Sequence, residues 1–432
     1  MNNVLRFALP LLVAAASAVL GLAAEPIKWL QATAYAVPKE TATEGEGYFS
    51  IIEGQNGRLY IGTHCNGANA YLVEFDPKAK KMTTVVDAMK EIGSTAKGFG
   101  AQAKIHTRNN VGASGKIYFG TKQGYPDKTE KREDYPGGYP MAYDPKTGKT
   151  KVYPIAVPHH GINSITPDES RGVAYLSTCS DGRPPFLESS LFVVLDLKTS
   201  KYRTLFDANH PYGFIVIDYL GRAYHPILGG DIARYDPKTD KVERLKQTID
   251  GKPPTAESHL ADLPGHPLNW DIAADGKTLY CLPMSTNQLY SYDLTRTGDI
   301  LPGHSVGTLI AGAKSTDCRA MCVGPKGTVW ASITATEAKE GVPYLHHLVS
   351  YRPGEKAPRD HGPVAIRNPD YTEFKDKDGK PVPFHSGIVK LPDGTTTTKW
   401  VVLGICEGRD GSVYSLALQP YTVLQVPPDQ LK

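Results

Sequence analysis

Nothing in this sequence reads as a long amphipathic helix, and no stretch carries a long run of basic residues. The first absence argues against helical architectures and for an all-β chain. The second disfavours nucleic acid as a partner, as does the near-balance of 48 Lys and Arg against 45 Asp and Glu. Any acidic ligand must then be met by local charge. No P-loop, Rossmann turn, HExxH pair or GxSxG elbow appears, so nucleotide cofactors and serine hydrolysis have no support. Cysteine is scarce, with six in 432 residues, at 65, 179, 281, 318, 322 and 406. An even number permits disulfides in an oxidising compartment, but this scatter is not a small disulfide scaffold. A strand through STDCRAMC would hold Cys318 and Cys322 on one face about 13 Å apart, beyond the reach of a disulfide without a bend. Buried thiols are expected rather than a metal site.

Long apolar runs are confined to the start. Arg6 is followed by an apolar stretch from Phe7 to about Ala24, with Gly21 and Ala23 suiting a signal peptidase. Residues 1–24 are therefore expected to be a cleaved export signal. That leaves a secreted or periplasmic protein with no membrane attachment and 47 basic against 45 acidic residues.

What the sequence has in abundance is one phrase. GRLYIGT at 57, GKIYFGT at 115, GVAYLST at 172 and GRAYHPI at 221 are followed by GKTLYCL at 276, GTVWASI at 327 and GSVYSLA at 411. Each is a turn glycine, a short spacer, an aromatic and more strand. A second phrase follows most copies: FDPKAKK at 75, YDPKTGK at 143, LDLKTSK at 195, YDPKTDK at 235 and YDLTRTGD at 292. These read as hairpin turns between a third and a fourth strand. Seven copies, spaced 49 to 84 residues apart, predict a seven-bladed β-propeller of four-stranded antiparallel blades over residues 25–432. The leftover strand IKWLQATAYAVP is expected to close the ring in the last blade. Tyr60, Tyr118, Tyr175, Tyr224, Trp330 and Tyr414 are the repeat aromatics and should pack between blades.

In such blades the first-to-second and third-to-fourth turns share one face. The long pieces 122–140, 179–189, 249–268, 334–345 and 361–398 then fall on the other, where function is expected. Innermost strands should start on that face at 47, 104, 159, 210, 266, 317 and 404. These starts are polar, and the neighbouring strand ends add to them. The mouth should gather His64, His106, His159 or His160, His210, Tyr212, His225, His266, Trp270 and Arg319, with Lys122 and Tyr125. In PHHG the two side chains point to opposite sides, and His160 is the better placed. YLHHL at 344–348 is expected to be an outer-strand pair with no role.

Neutral His, Tyr and Arg without paired carboxylates do not suit glycoside hydrolysis, which needs two acids flanking the bond. They suit β-elimination from a uronate. That reaction needs a cation on the carboxylate, a base for the C5 proton and an acid for the leaving oxygen. His106 or His160 is the expected base and Tyr212 the acid, with His225 nearby and Arg319 or Lys122 pairing with the carboxylate. The loop YPDKTEKREDYPGGYP offers Tyr125, Tyr135 or Tyr139 as a wall for sugar rings.

The run KIHT…GKIYFGT…YPGGYPMAYDPKTGK resembles the seven-bladed, secreted propeller lyases that cleave ulvan. The likeness is best over 104–240. It implies a His/Tyr pair, with an Arg and a second His near the substrate carboxylate. His106 stands where the strand His is expected and Tyr212 where the Tyr is. Lys122 takes the place of a partner His, and Arg234 is the Arg nearest after His225. Oligogalacturonate lyases are a second similar group, with a metal held by several His at the mouth. The expected partner is an acidic polysaccharide or oligosaccharide met by a monomer. No cofactor is required, and a divalent metal with unassigned ligands is the alternative. A propeller that binds carbohydrate or protein without catalysis is the competing reading.

Overall fold

The computed structural model describes residues 27–43, 49–181, 189–209, 213–253, 268–284, 286–313, 316–335, 345–368, 387–398 and 404–432. The export segment, His210, Tyr212 and His266 lie outside them, as does the side chain of Arg319.

Regular structure opens with β1 (Leu30–Ala36) and continues in antiparallel groups of four. The first group is β2 (Ile51–Glu53), β3 (Leu59–Gly62), β4 (Tyr71–Asp76) and β5 (Lys81–Asp87). The second is β6 (Asn110–Val111), β7 (Ile117–Gly120), β8 (Pro140–Asp144) and β9 (Lys149–Val152). The third is β10 (His160–Asp168), β11 (Val173–Ser180), β12 (Leu191–Asp196) and β13 (Tyr202–Asp207). Next come β14 (Val216–Ile217), β15 (Ala223–Pro226), β16 (Ile232–Asp236) and β17 (Lys241–Ile249). The fifth is β18 (Leu268–Ile272), β19 (Thr278–Pro283), β20 (Gln288–Asp293) and β21 (Ile300–Thr308). The sixth is β22 (Thr316–Val323), β23 (Val329–Ala335), β24 (Leu345–Tyr351) and β25 (Arg359–Ile366), followed by a hairpin of β26 (Ile388–Lys390) and β27 (Thr396–Thr398). The last group is β28 (Ile405–Glu407), β29 (Val413–Ala417) and β30 (Thr422–Val426). Its fourth member is β1, antiparallel to β30 with Thr33 opposite Gln425 and Ala36 opposite Thr422. Outermost strands also pair sideways in two places: β17 runs parallel to β21, and β1 to β25.

The repeated phrases explain the groups. In the third-to-fourth turns the leading Asp caps its own loop. Asp76, Asp144, Asp196 and Asp236 accept the backbone N–H two residues on at 2.8–3.0 Å, a local bond that competes with continued strand. Each turn then needs a residue with positive φ, supplied by Lys80, Gly148, Ser200 and Asp240. The repeat aromatics do the packing. Tyr60, Tyr118, Tyr175, Tyr224, Tyr280, Trp330 and Tyr414 are all buried, and each belongs to a different apolar cluster formed by its own group and a neighbour. The cluster around Tyr414 and Leu416 includes Ile51, Leu59 and Val73, so the last group packs on the first. Innermost strands are neighbours too: β2 touches β6 and β28, β6 touches β10, β14 touches β18, and β22 touches β18 and β28.

Two expectations need correction. Ladders do not begin at 104, because residues 104–109 carry only isolated bridges before β6 starts at Asn110. The stretch 361–398 is not simply a loop: β25 runs to Ile366, and the β-branched run Thr396–Thr398 folds back so that Thr397 lies opposite Ala365. None of the six cysteines forms a disulfide, and all six are buried. Among the described residues no helix is long and apolar enough to cross a membrane.

Candidate functional site

The segment ahead of β6 explains why it fails to form a ladder within its own group. Its backbone is shared with the ends of neighbouring strands. Cys65 N–H donates to Ala103 O at 3.1 Å and Ile105 N–H to Thr63 O at 3.0 Å. Lys104 and Lys122 exchange backbone bonds at 3.1 and 2.8 Å, and Ile162 N–H reaches Thr121 O at 3.0 Å. His64, Lys104 and Lys122 thus stand side by side in one row. Gly161 makes room for it, since a Cβ there would lie 2.5 Å from Lys122 Cγ and 3.0 Å from Lys122 Cα.

In extended backbone, alternate residues share a side, so His106 falls on the side of Lys104. Burial first, then the charges of Lys122, Lys104 and His64, hold the His106 imidazole well below its ordinary range. It is therefore neutral at physiological pH. His64 is fully buried, while His106, Lys104 and Lys122 are 3%, 5% and 7% exposed. Lys122 Nζ points to Asn163 Oδ1 at 3.4 Å.

Above the row sits Tyr125, half exposed. Its ring centroid is 3.5 Å from Lys104 Nζ and 5.6 Å from the His64 ring. Its backbone is held by Asn66, which accepts its N–H at 2.6 Å. Below, Phe49 meets the His106 ring edge-on at 5.7 Å and Phe214 at 4.9 Å. The arrangement is a buried basic row with an aromatic lip and an apolar floor, a local gathering of positive charge and hydrogen-bond donors that an anion would match.

Of the residues chosen from sequence, the structure brings together His64, His106, Lys122 and Tyr125. Others are engaged elsewhere. His160 Nδ1 lies 3.0 Å from Thr178 Oγ1, and burial, then Arg132 and His159, lower its pKa to about 4. His225 is fully buried, with Nε2 2.8 Å from Ser177 Oγ and Nδ1 2.6 Å from Pro226 O. Burial brings it to about 4. Arg234 pairs with Glu243 on the outermost strand of its group at 2.8 Å. Trp270 is fully buried in an apolar cluster, its indole N–H donated to Phe214 O. Tyr135 is no surface wall: it is fully buried and donates its hydroxyl to Gln102 Oε1 at 2.8 Å. His346 and His347 are buried on β24, bonded to Thr334 and Asp360.

The sequence reading missed Lys104, Asn163 and the floor made by Phe49 and Phe214. Lys104 was findable, because it stands two residues from His106 in extended chain. Among the described residues no group of three or more His, Cys, Asp or Glu side chains is gathered as a metal would require, so no ligand set is assigned.

No protein family and no curated protein matches the chain. Solved structures do. The extracellular domain of a hybrid two component system from B. thetaiotaomicron aligns over 92% of this chain with a TM-score of 0.53 at 10% identity, and the chain spans 40% of that one. The β-propeller domain of Cps50 (Swd1) from Myceliophteria thermophila aligns over 93% of this chain and 99% of its own, with a TM-score of 0.52 at 10% identity. A chain of the mitotic checkpoint complex aligns over 98% of each, with a TM-score of 0.50 at 10% identity. The four-stranded antiparallel groups and these likenesses make the fold a β-propeller.

Proposed function

We propose that this is an exported seven-bladed β-propeller, closed by β1, that binds a uronate-containing acidic polysaccharide at its mouth and cleaves it by β-elimination. The observation that carries the reading is the gathering of His106 with Lys104, Lys122 and His64 beneath Tyr125. The blade count and closure draw support from the cluster joining the last group to the first and from β1 on β30. Export draws support from residues 1–24 and from the extracellular setting of one structural neighbour.

The substrate carboxylate is taken by Lys104 and Lys122. Its charge offsets the two cations that depress His106, so the imidazole gains basicity once substrate is seated. His106 then takes the C5 proton, and the C5–H electron pair becomes the C4=C5 double bond. The C4–O bond breaks, and the leaving oxygen takes a proton from an acid, the role the sequence gives to Tyr212. Arg319 adds a cation, and Tyr125 stacks a neighbouring ring.

Purified protein mixed with ulvan, pectate and glycosaminoglycans should raise the ultraviolet absorbance of an unsaturated uronate on one of them. His106→Ala should lower that rate by roughly a hundredfold or more, and Lys122→Ala should weaken binding. A chelator arm separates a metal-dependent lyase. Binding without cleavage is the second reading, favoured by the deep burial of His106. A flat absorbance trace together with measurable affinity for one polysaccharide would replace the lyase with it.

A further inference from the structure

On the face opposite the mouth, the sixth and last groups part to leave a cleft of about 780 Å³. Its rim comes from the turn after β22 (Lys326), the turn after β24 (Arg352), the start of β25 (Arg359) and Lys432. The floor is Trp330, walled by Pro353, Pro428 and Leu431. Trp330 is fixed there: its indole N–H donates to Glu407 Oε2 at 2.9 Å, and its ring packs on His361 at 5.5 Å. His361 is held in turn by Ser350 Oγ at 2.8 Å. Arg359 is anchored by a bond to Lys432 O at 2.8 Å.

Four basic side chains thus line the cleft with two carboxylates: Glu407, which already accepts from Trp330, and the Lys432 α-carboxylate, which accepts from Arg359. Arg359 is paired with the Lys432 α-carboxylate, and among the described residues the side chains of Lys326, Arg352 and Lys432 have no Asp or Glu partner. The Arg352 guanidinium fork and the two ammonium groups of Lys326 and Lys432 still present far more donors than the roughly four acceptor sites of one ligand carboxylate can use. A tetrahedral oxyanion, with more oxygens and charge, matches them better. The aromatic floor and apolar walls add that the anion is borne on an organic body. The cleft's volume lies in the range of roughly 300–1,000 Å³ typical of small-ligand sites.

We propose that this cleft is a second binding site, for a carbohydrate-sized organic anion bearing a sulfate or phosphate ester. It is independent of the mouth. The test is isothermal titration of the full chain at low salt with three probes: a sulfated disaccharide, the same disaccharide unsulfated, and a hexose phosphate. One of the charged probes should bind saturably and the neutral one should not, and which charged probe binds tighter decides between the ester types. The double variant Lys326→Gln/Arg352→Gln, on exposed turns, should melt like the parent and weaken the charged probe by at least roughly tenfold. His106→Ala should leave that affinity unchanged whether or not the mouth is catalytic. No saturable binding of either charged probe would overturn the proposal. So would affinity unmoved by the double variant, affinity lost with His106→Ala, or equal binding of the neutral sugar.

Discussion

Tyr118 shows how one residue type serves both packing and register. Its ring fills the cluster between the second and third groups, and its hydroxyl donates to Glu169 Oε1 at 2.8 Å across that junction. Burial pushes the Glu169 carboxyl up, yet bonds from Ser114 and Tyr118 hold it below its ordinary value overall. Tyr118→Phe should cost about 1.5–3 kcal/mol, one bond to a charged acceptor. Tyr118→Ala should cost about 3–5 kcal/mol, the loss of a buried aromatic. Urea unfolding of the two variants would check both values. The repeat aromatics were legible because the phrase places each at the same step of the same strand. Tyr135 and Trp270 were not, because an aromatic in a loop or at a strand start can fill a core or face a ligand equally well. At the mouth, Gly161→Ala should push Lys122 aside and, by crowding its Cα and Gln123 as well, cost about 1–3 kcal/mol of stability, and on the proposed function the folded variant should bind an acidic polysaccharide more weakly. Unchanged affinity would mean that Lys122 is not part of the binding surface.

Among the elements, β1 carries the largest consequence. It is bonded on one side to β30 and on the other to β25, so it shields two strand edges that would otherwise be open to foreign pairing. Removing residues 27–36 should lower the melting temperature and promote aggregation, and a peptide of that sequence added in trans should reverse part of both. Thermal melting with light scattering would report it, and a truncated chain that melts like the parent would show that the edges close without β1. The pairing of β1 with β30 was legible from the strand missing after 411. Its second bond line to β25 was not, because sideways register between groups leaves no mark in either phrase. The segment 104–109 was misread for a related reason. Its polar side chains suit a mouth, but apart from Lys122 its backbone partners lie in the first and third groups, and alternation within one strand does not show that.

For the whole molecule, acid is the relevant stress. His225, His160 and His361 sit at about 4, each lowered chiefly by burial. Below about pH 6.5 the unfolded chain binds protons that the fold refuses, so their stabilisation is complete above that value and drains away as pH falls toward 4. His225, fully buried, should supply on the order of 3 kcal/mol, and His106, held well below its ordinary range by burial and the neighbouring lysines, acts in the same direction. Melting temperature should therefore fall steeply from pH 7 to 4.5, and less steeply in His225→Gln. The sideways pairings add a mechanical asymmetry. The fourth and fifth groups are joined at their rims by backbone bonds, and so are the sixth and last. Among the described residues β5, β9 and β13 end their sheets without such a partner. The first three groups are instead bound at their inner ends, by the row through His64, Lys104 and Lys122 and by the bridge from Arg108 to Ser164. They resemble pages held at the spine, their outer margins tied by side-chain bonds such as Lys151 Nζ to Leu197 O at 2.7 Å. Loosening of those margins would leave the backbone bonds of the basic row in place, so the spacing of His64, Lys104 and Lys122 does not depend on the rims.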